Sequence, residues 1–580
     1  MSSLPWSLLP GCGPRVFLVD LAVFKPPQEW RVDQADVEQS WCDTERYSPE
    51  DIDFQQRVYA RSGLSPSGTY LPPWLNAARV GSDARTDLAA AEAEARLAMT
   101  GAVQALLDKA GLHPRDIDTL VTTCSIYCPT PSLASLLVNA FGMRPDVQSY
   151  SLGGMGCANG VVAVNLLADL LKARPNCNAL FVTTETTTPA YYCGNDRSRL
   201  VTNLLFRTGA AAVLLSNKPR LAARAKYALR QCVRVHTGAS AEAYGAIHYS
   251  PDASGLNGIF LGKNVVAEAS RGLALALRRV APHVLTWGQL AEAVAAEIRG
   301  RMGRGRGGKR EASDGSKSGS GGEEKQAPPT AAAMEARAGG SPQASRAPSS
   351  AAASVAGSLQ PGSPSSTCSS SSSPSSSLSS SSLSSRCPSP SPSVCASPLP
   401  PPSPPSPPSP PSPPRAASSS SYRPNFQQST VRHFLLHAGG AKVLDGLGEA
   451  LQLDEGRLGP SRAVLRDYGN VSSSSTWYAL AHVETEAGVR AGERLMQVGV
   501  GSGMKSGVNV WQALRDVREV HPAWAHLLSP EQQQRLGRQV DVSHALRHMM
   551  GRLMLALALA ALAIALGAAA ERAGMGAWWA

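Results

Sequence analysis

Three residues in this chain have the types and settings of a covalent catalyst. Cys157 stands in SLGGMGCANGVVAVNLLADLLKA (residues 151–173), among Gly153, Gly154, Gly156 and Gly160. Glycine permits sharp turns and close backbone approach. The run that follows is apolar on every side except at Asn165 and Asp169, the pattern of a buried helix. A cysteine at the start of such a helix meets the positive end of its dipole, which favours the thiolate. A small, packed core cysteine is the other reading of the same residues. His433 and His437 lie in HFLLHAGG, and Asn470 follows a glycine in DYGNVSSSSTWYALAH. A histidine pair four residues apart can hold a metal, but the zinc-protease pattern needs a glutamate after the first histidine, and Phe434 stands there. Together, Cys157, a histidine before glycines and an asparagine after one suggest a thiol nucleophile served by two hydrogen-bond donors.

Such residues must be carried by a fold that buries them. Residues 15–24, 117–126, 178–186 and 209–217 are short, apolar and rich in β-branched or small side chains, so they read as buried strands. Residues 85–111 are Ala-rich and end at a glycine, so they read as a helix. A second helix is expected near 475–487, and a glycine-punctuated strand pair over 495–514. Strands alternating with helices give an α/β class with covered sheets. From 301 to 421 serine, proline, glycine and alanine dominate, and such a segment cannot bury enough apolar surface to offset its ordering entropy. It reads as a disordered insertion with polyproline stretches.

The chain has 580 residues and a formal charge of +11, but the charge does not form a nucleic-acid footprint. Its densest basic run, RGRMGRGRGGKR (299–310), borders the insertion and reads as a solvated stretch. Eleven cysteines without paired spacings fit a reducing compartment. The opening residues carry no secretory-signal pattern. Residues 553–570, LMLALALAALAIALGAAA, contain no charge; as a helix they would span about 27 Å, close to a bilayer core of roughly 30 Å. Basic residues precede the run, and Trp578 and Trp579 follow it, as at a membrane interface.

The order and content of many stretches resemble the plant-type 3-ketoacyl-CoA synthases of very-long-chain fatty acid elongation, within the thiolase-like condensing enzymes. The matching segments include VFLVDLAVFKPP (16–27), RSGLSPSGTYLPP (61–73), TCSIYCPTPSLASLLVN (123–139), SLGGMGC (151–157) and GNDRSRLVTNLLFRTGAAAVLLSN (194–217). VRVHTGA (233–239), HFLLHAGG, PSRAVLRDYGNVSSSSTWYALAHVE (460–484) and QVGVGSGMKSGVNVWQAL complete them. The resemblance implies a thiolase-like fold of two similar halves in αβαβα layers. The expected divisions are an extension at 1–14, a first half at 15–220, a second half at 221–300 and 422–525, the insertion at 301–421 and a tail at 526–580. Cys157 and His437 lie 280 positions apart, of which the insertion supplies 121.

By the same resemblance Cys157 takes the acyl chain as a thioester, while His437 and Asn470 bind the malonyl thioester carbonyl and steady the enolate left when carbon dioxide departs. The N–H of Cys157 and one from the GVGSG loop (499–503), which contains Gly501 and Gly503, would form an oxyanion hole. His236 and His433 match further histidines with supporting roles, and Asn195, Asp196 and Arg197 match a structural signature. Arg466 stands where the family usually has a histidine. The family's pair of N-terminal membrane helices is missing from the matching region. The implied substrates are a long-chain acyl-CoA and malonyl-CoA, with no cofactor. The implied partners are a second copy of the chain and the ketoacyl reductase, dehydratase and enoyl reductase of an elongase complex. The implied location is the endoplasmic reticulum membrane with the catalytic part in the cytosol. A type III polyketide synthase and a catalytically silent scaffold of a membrane complex are the alternatives. If residues 553–570 provide the attachment, truncation after residue 545 will move the protein from carbonate-washed membranes to the soluble fraction. An already soluble full-length protein would exclude the anchor.

Overall fold

The computed structural model describes residues 16–44, 46–76, 84–307, 424–536 and residue 560. A strand covered on both faces needs apolar residues on both, and the runs read as strands supply them. The first set is β1 (Phe17–Val23), β2 (Thr119–Cys124), β3 (Gln148–Gly153), β4 (Asn178–Glu185) and β5 (Gly209–Ser216). Every residue of β2, β4 and β5 is buried. The second set is β6 (Tyr227–His236), β7 (His433–Leu436), β8 (Arg494–Gly501) and β9 (Lys505–Ala513). All nine belong to one sheet in the order β7-β8-β9-β6-β1-β5-β4-β2-β3.

The order contains a repeat. Numbering the strands within each set, the first runs 3-2-4-5-1 and the second 2-3-4-1, which is the first order with its edge strand, the third, left out. Orientations repeat as well. β2 and β4 are parallel, as are β7 and β8. β4–β5 and β5–β1 are antiparallel, as are β8–β9 and β9–β6. Within the sheet the two sets join where Phe17 and Leu18 pair with Ala228 and Tyr227.

Helices repeat around these strands. They are α1 (Leu88–Ala110), α2 (Leu133–Phe141), α3 (Asn159–Ala173), α4 (Arg197–Leu205), α5 (Val265–Val284), α6 (Trp287–Gly307), α7 (Ala441–Leu451), α8 (Glu455–Tyr468) and α9 (Ser475–Glu486). Asp87 caps α1 by accepting from the Ala90 N–H, and Gly111, left-handed at φ 61°, ends it. α1 and α2 lie against the first set of strands, and α5 lies against β6, β8 and β9. α3 touches β2 and β4 on one side and β6, β8 and β9 on the other, and α9 touches strands of both sets. Residues 475–485 of α9 are all buried, and α3 exposes little more than Asp169 and Lys172. One apolar core, including Val164, Phe181, Trp477 and Trp511, runs through both sets of strands.

α6 continues to Gly307, past the change of composition at 301. Residues 308–423, most of the insertion, lie outside the described residues. So does the apolar run 553–570, apart from residue 560. Among the described residues no helix is long and apolar enough to cross a membrane.

A buried ionic cluster ties the two sets together away from the cysteine. Lys226, just before β6, donates to Asp20 of β1 at 2.8 Å, to Glu484 of α9 at 2.7 Å and to Glu519 at 2.7 Å. Tyr227 Oη and His521 Nε2 also bond Glu484. Glu484, Glu519 and His521 are close enough to one another to hold a cation, and the Lys226 ammonium already bonds both carboxylates. Although burial works against charge, the Lys226 ammonium brings the Glu484 and Glu519 carboxyls down to about 2. A carboxyl lowered from about 4.5 stabilises the fold above pH 5, and that contribution disappears as pH falls toward 2. Lys226→Met should cost about 3–5 kcal/mol in urea unfolding at pH 7, because it strands buried carboxylates. It should also flatten the loss of stability that the parent shows between pH 5 and 3.

Candidate active site

At the start of α3, segments that follow the first and second sets of strands come into backbone contact. A Cβ on Gly160 would lie 1.7 Å from the Ser473 carbonyl oxygen. A Cβ on Gly501, at the end of β8, would lie 2.4 Å from the Ala158 nitrogen and 2.7 Å from the Cys157 nitrogen. No other residue fits at either position without moving backbone. The first-turn carbonyls of α3 are met from the second set: Trp477 Nε1 donates to Gly160 O at 3.1 Å, and Asn509 Nδ2 to Val161 O at 3.0 Å. α3 has no side-chain cap at its N-terminus. Cys157 sits in the turn just before it, after left-handed Gly154 and Gly156.

Cys157, His437 and Asn470 all line one cavity of about 1100 Å³. The part of Cys157 that is exposed faces this cavity, and burial pushes its thiol up to about 12; Ser472 works the other way, and Glu185 adds to the rise. The thiolate expected from the helix start is therefore not the resting form: the N-terminus of α3 does not outweigh desolvation. His437 follows β7, with its N–H bonded to Val498 O at 3.0 Å. Burial lowers its imidazole to about 4, so at neutral pH it is uncharged. Its Nδ1 lies 2.8 Å from Ser475 Oγ, which itself donates to Ser472 O at 2.8 Å. Ser475 therefore accepts the Nδ1 proton, leaving the Nε2 lone pair free to take another.

Asn470 follows Gly469, whose own Cβ would meet Arg207, and its backbone bridges Phe206. Its Oδ1 accepts from the Ser472 N–H at 2.9 Å, and its Nδ2 lies 3.3 Å from Gly439 O. The amide is thus oriented with its donor end beside the glycines that follow His437. A neutral base, a thiol and an oriented amide donor share one cavity, which suits formation and consumption of a thioester.

Gly501 and Gly503 also line the cavity, as does His236 at the end of β6. His433 does not. It begins β7, at the far end of that strand from His437, and its Nε2 pairs with Glu493 Oε2 at 2.8 Å. A part for His433 in the chemistry finds no support in this placement: residues four apart on a strand are some 13 Å apart. Arg466 is half-exposed, bonded to Asp467, and takes no part in the cavity wall. Asp196 caps α4 through the Ser198 N–H at 2.9 Å and pairs with Arg199, while Arg197 bonds Asp51 at 2.8 Å. That signature builds structure.

Sequence reasoning missed Glu185, the last residue of β4, and Ser472. Both border the cysteine. A single carboxylate closing a strand that is otherwise uncharged was the available signal for Glu185.

Comparison with known proteins agrees with the geometry. Residues 13–301 match the family described as FAE1/Type III polyketide synthase-like protein, and residues 427–514 match the C-terminal domain of chalcone and stilbene synthases. The 3-ketoacyl-CoA synthase 6 of Arabidopsis thaliana is 30% identical over 509 residues, 87% of this chain and 78% of that protein. The chain belongs to the 3-ketoacyl-CoA synthase family. Arabidopsis 3-ketoacyl-CoA synthase 11 and the probable 3-ketoacyl-CoA synthase 20 of Oryza sativa subsp. japonica are also 30% identical, over 502 and 503 residues, with 75% and 74% of their own lengths covered. In fold, this synthase resembles the type III polyketide synthase domain of Steely1 from Dictyostelium, with a TM-score of 0.52 and 14% identity over 86% of this chain and 99% of that one. The tetrahydroxynaphthalene synthase of Streptomyces coelicolor gives 0.51 and 18% with the same coverage.

The proton states can be read directly. With a thiol near 12, alkylation of Cys157 by iodoacetamide should rise about tenfold per pH unit from pH 7 to 10, followed on the peptide that carries Cys157. A plateau below pH 8 would instead reveal a resting thiolate.

Proposed function

We propose that this 3-ketoacyl-CoA synthase joins a long-chain acyl-CoA to malonyl-CoA by decarboxylative Claisen condensation, releasing carbon dioxide and CoA. The observation that carries this reading is the convergence of Cys157, His437 and Asn470 on one cavity whose walls include Phe54, Val58, Ile259 and Leu261. In the first step the Cys157 thiol gives its proton to His437 Nε2. The sulfur attacks the acyl thioester, and CoA leaves as a thiolate that water protonates. The backbone N–H groups of Cys157 and of the 499–503 loop receive the developing oxyanion. In the second step malonyl-CoA loses carbon dioxide. Its enolate oxygen is held by Asn470 Nδ2–H and the protonated His437, and its carbon attacks the acyl-enzyme. The released Cys157 thiolate then recovers its proton from His437. No cofactor is required.

The repeated strand order supports a thiolase-like arrangement of two similar halves in αβαβα layers. β3 forms the exposed edge of the sheet, directly before Cys157, and offers a surface for pairing with a second copy. Elongase partners and attachment to the endoplasmic reticulum membrane through residues 553–570 belong to the same proposal, supported by the apolar sequence of that run.

The reaction is tested by incubating the protein with acyl-CoAs and labelled malonyl-CoA. One extension to a 3-ketoacyl-CoA is expected; several extensions followed by cyclisation would identify a polyketide synthase, and no acyl-enzyme at all a scaffold. Cys157→Ala should lose acyl-enzyme and extension yet keep some carbon dioxide release. Asn470→Ala should still be acylated but lose about a hundredfold in decarboxylation, and His437→Ala at least as much. Extension by Cys157→Ala, or parental decarboxylation by Asn470→Ala, would overturn these roles.

A further inference from the structure

Glu185 closes β4 with its side chain buried, and among the described residues it has no ion-pair partner. All its hydrogen bonds are accepted. Oε1 takes the N–H of Ser125 at 3.1 Å, the N–H of Ile126 at 3.0 Å and the Cys124 thiol at 3.2 Å. Oε2 takes the Ser472 hydroxyl at 2.7 Å. Four donors and no acceptor suit a carboxylate, which is acceptor-only when ionised. A buried carboxylate without a cation is costly, and its own carboxyl is accordingly raised by desolvation.

Nothing in the strand itself needs these bonds. The segment that follows β4 is already held by a different carboxylate: Glu94 accepts from the N–H and hydroxyl of both Thr187 and Thr188. The bonds of Glu185 run outward, to the turn after β2 and to Ser472. Ser472 has φ 51°, a left-handed conformation that serine rarely adopts unaided. In that conformation its N–H reaches Asn470 Oδ1 at 2.9 Å, which turns the amide so that Nδ2 is left as the donor. A continuous line of contacts therefore runs from Glu185 through Ser472 to Asn470.

We propose that Glu185 is a positioning residue for condensation: its carboxylate pins Ser472 in the left-handed conformation that presents the Asn470 amide donor to the malonyl carbonyl. This rests on the condensing activity proposed above. Glu185 is more than a packing residue in this account, because its loss should affect one half-reaction and spare the other.

The test uses the full chain, with acyl transfer to Cys157 and carbon dioxide release from malonyl-CoA measured separately. Glu185→Leu should lower carbon dioxide release by about fiftyfold, nearly as much as losing the amide donor itself, and change acyl transfer by less than about fivefold. Glu185→Gln keeps an oxygen for the Ser125 and Ile126 N–H groups and an amide that can donate to Ser472 Oγ, so it should recover most of the lost release. If the leucine variant does not fold, Glu185→Asp asks the same question, because the shorter side chain cannot reach Ser472 and the turn after β2 together. Its selective loss should match that expected of leucine. Parental carbon dioxide release in the leucine or aspartate variant would overturn the proposal. So would equal losses in both half-reactions, or failure of glutamine to rescue. A parent protein that itself neither condenses nor decarboxylates would instead count against the activity, and that result is read before any variant is compared.

Discussion

The active site depends on backbone meeting backbone with no side chain between. Gly160 lies against the Ser473 carbonyl, and Gly501 lies against the nitrogens of Cys157 and Ala158. These contacts bring α3 of one strand set into the second set and place the cysteine where residues from both can reach it. Trp477 and Asn509 then close the first-turn carbonyls of α3 from the far side. An added methyl group at either glycine would separate the elements that carry the thiol from those that carry the imidazole and the amide.

Burial, rather than a nearby charge, sets the chemistry of the cavity. Desolvation keeps Cys157 as a thiol and His437 as a neutral base. The contrast with the Lys226 cluster is instructive. There a buried ammonium meets three carboxylates and the charges hold one another in place. At the site the only buried carboxylate close to the thiol among the described residues is Glu185, and it answers to N–H, S–H and O–H donors. A cation at that position would favour a permanent thiolate, whereas this arrangement keeps the resting cysteine protonated.

Much of this was legible in the sequence, and what was not has physical reasons. β1, β2, β4 and β5 were readable because strands covered on both faces are nearly all apolar, and α1 because alanines end at a glycine stop. β3 was not, since its residues QSYSLG lie on an exposed edge and carry no apolar signature. β7 has four residues, too few to show a period. The glycine setting of Cys157 and the motifs around His437 and Asn470 mark these residues in the sequence, and the cavity gathers all three. Motif order could not separate His236, at the cavity, from His433, at the far end of β7, because that depends on strand direction. Nor could it show the thiol state, which depends on how much of the chain covers the cysteine. Ser472 looked like one of four serines, and only its left-handed backbone sets it apart.

The repeated strand order has a consequence for how a carbon–carbon bond can be made here. The end of β2 leads into the turn at Ser125 and Ile126, and the matching end of β7 leads into His437. The end of β3 leads to Cys157 and α3, while the matching stretch before α9, where the second set lacks a paired strand, holds Asn470. The two sets share a strand order and meet across a common seam. A reaction between two large thioesters needs an electrophile gripped from one side and a carbanion raised from the other. In the condensation proposed above, the first set would hold the acyl group covalently through Cys157, and residues of the second would shape the enolate that strikes it.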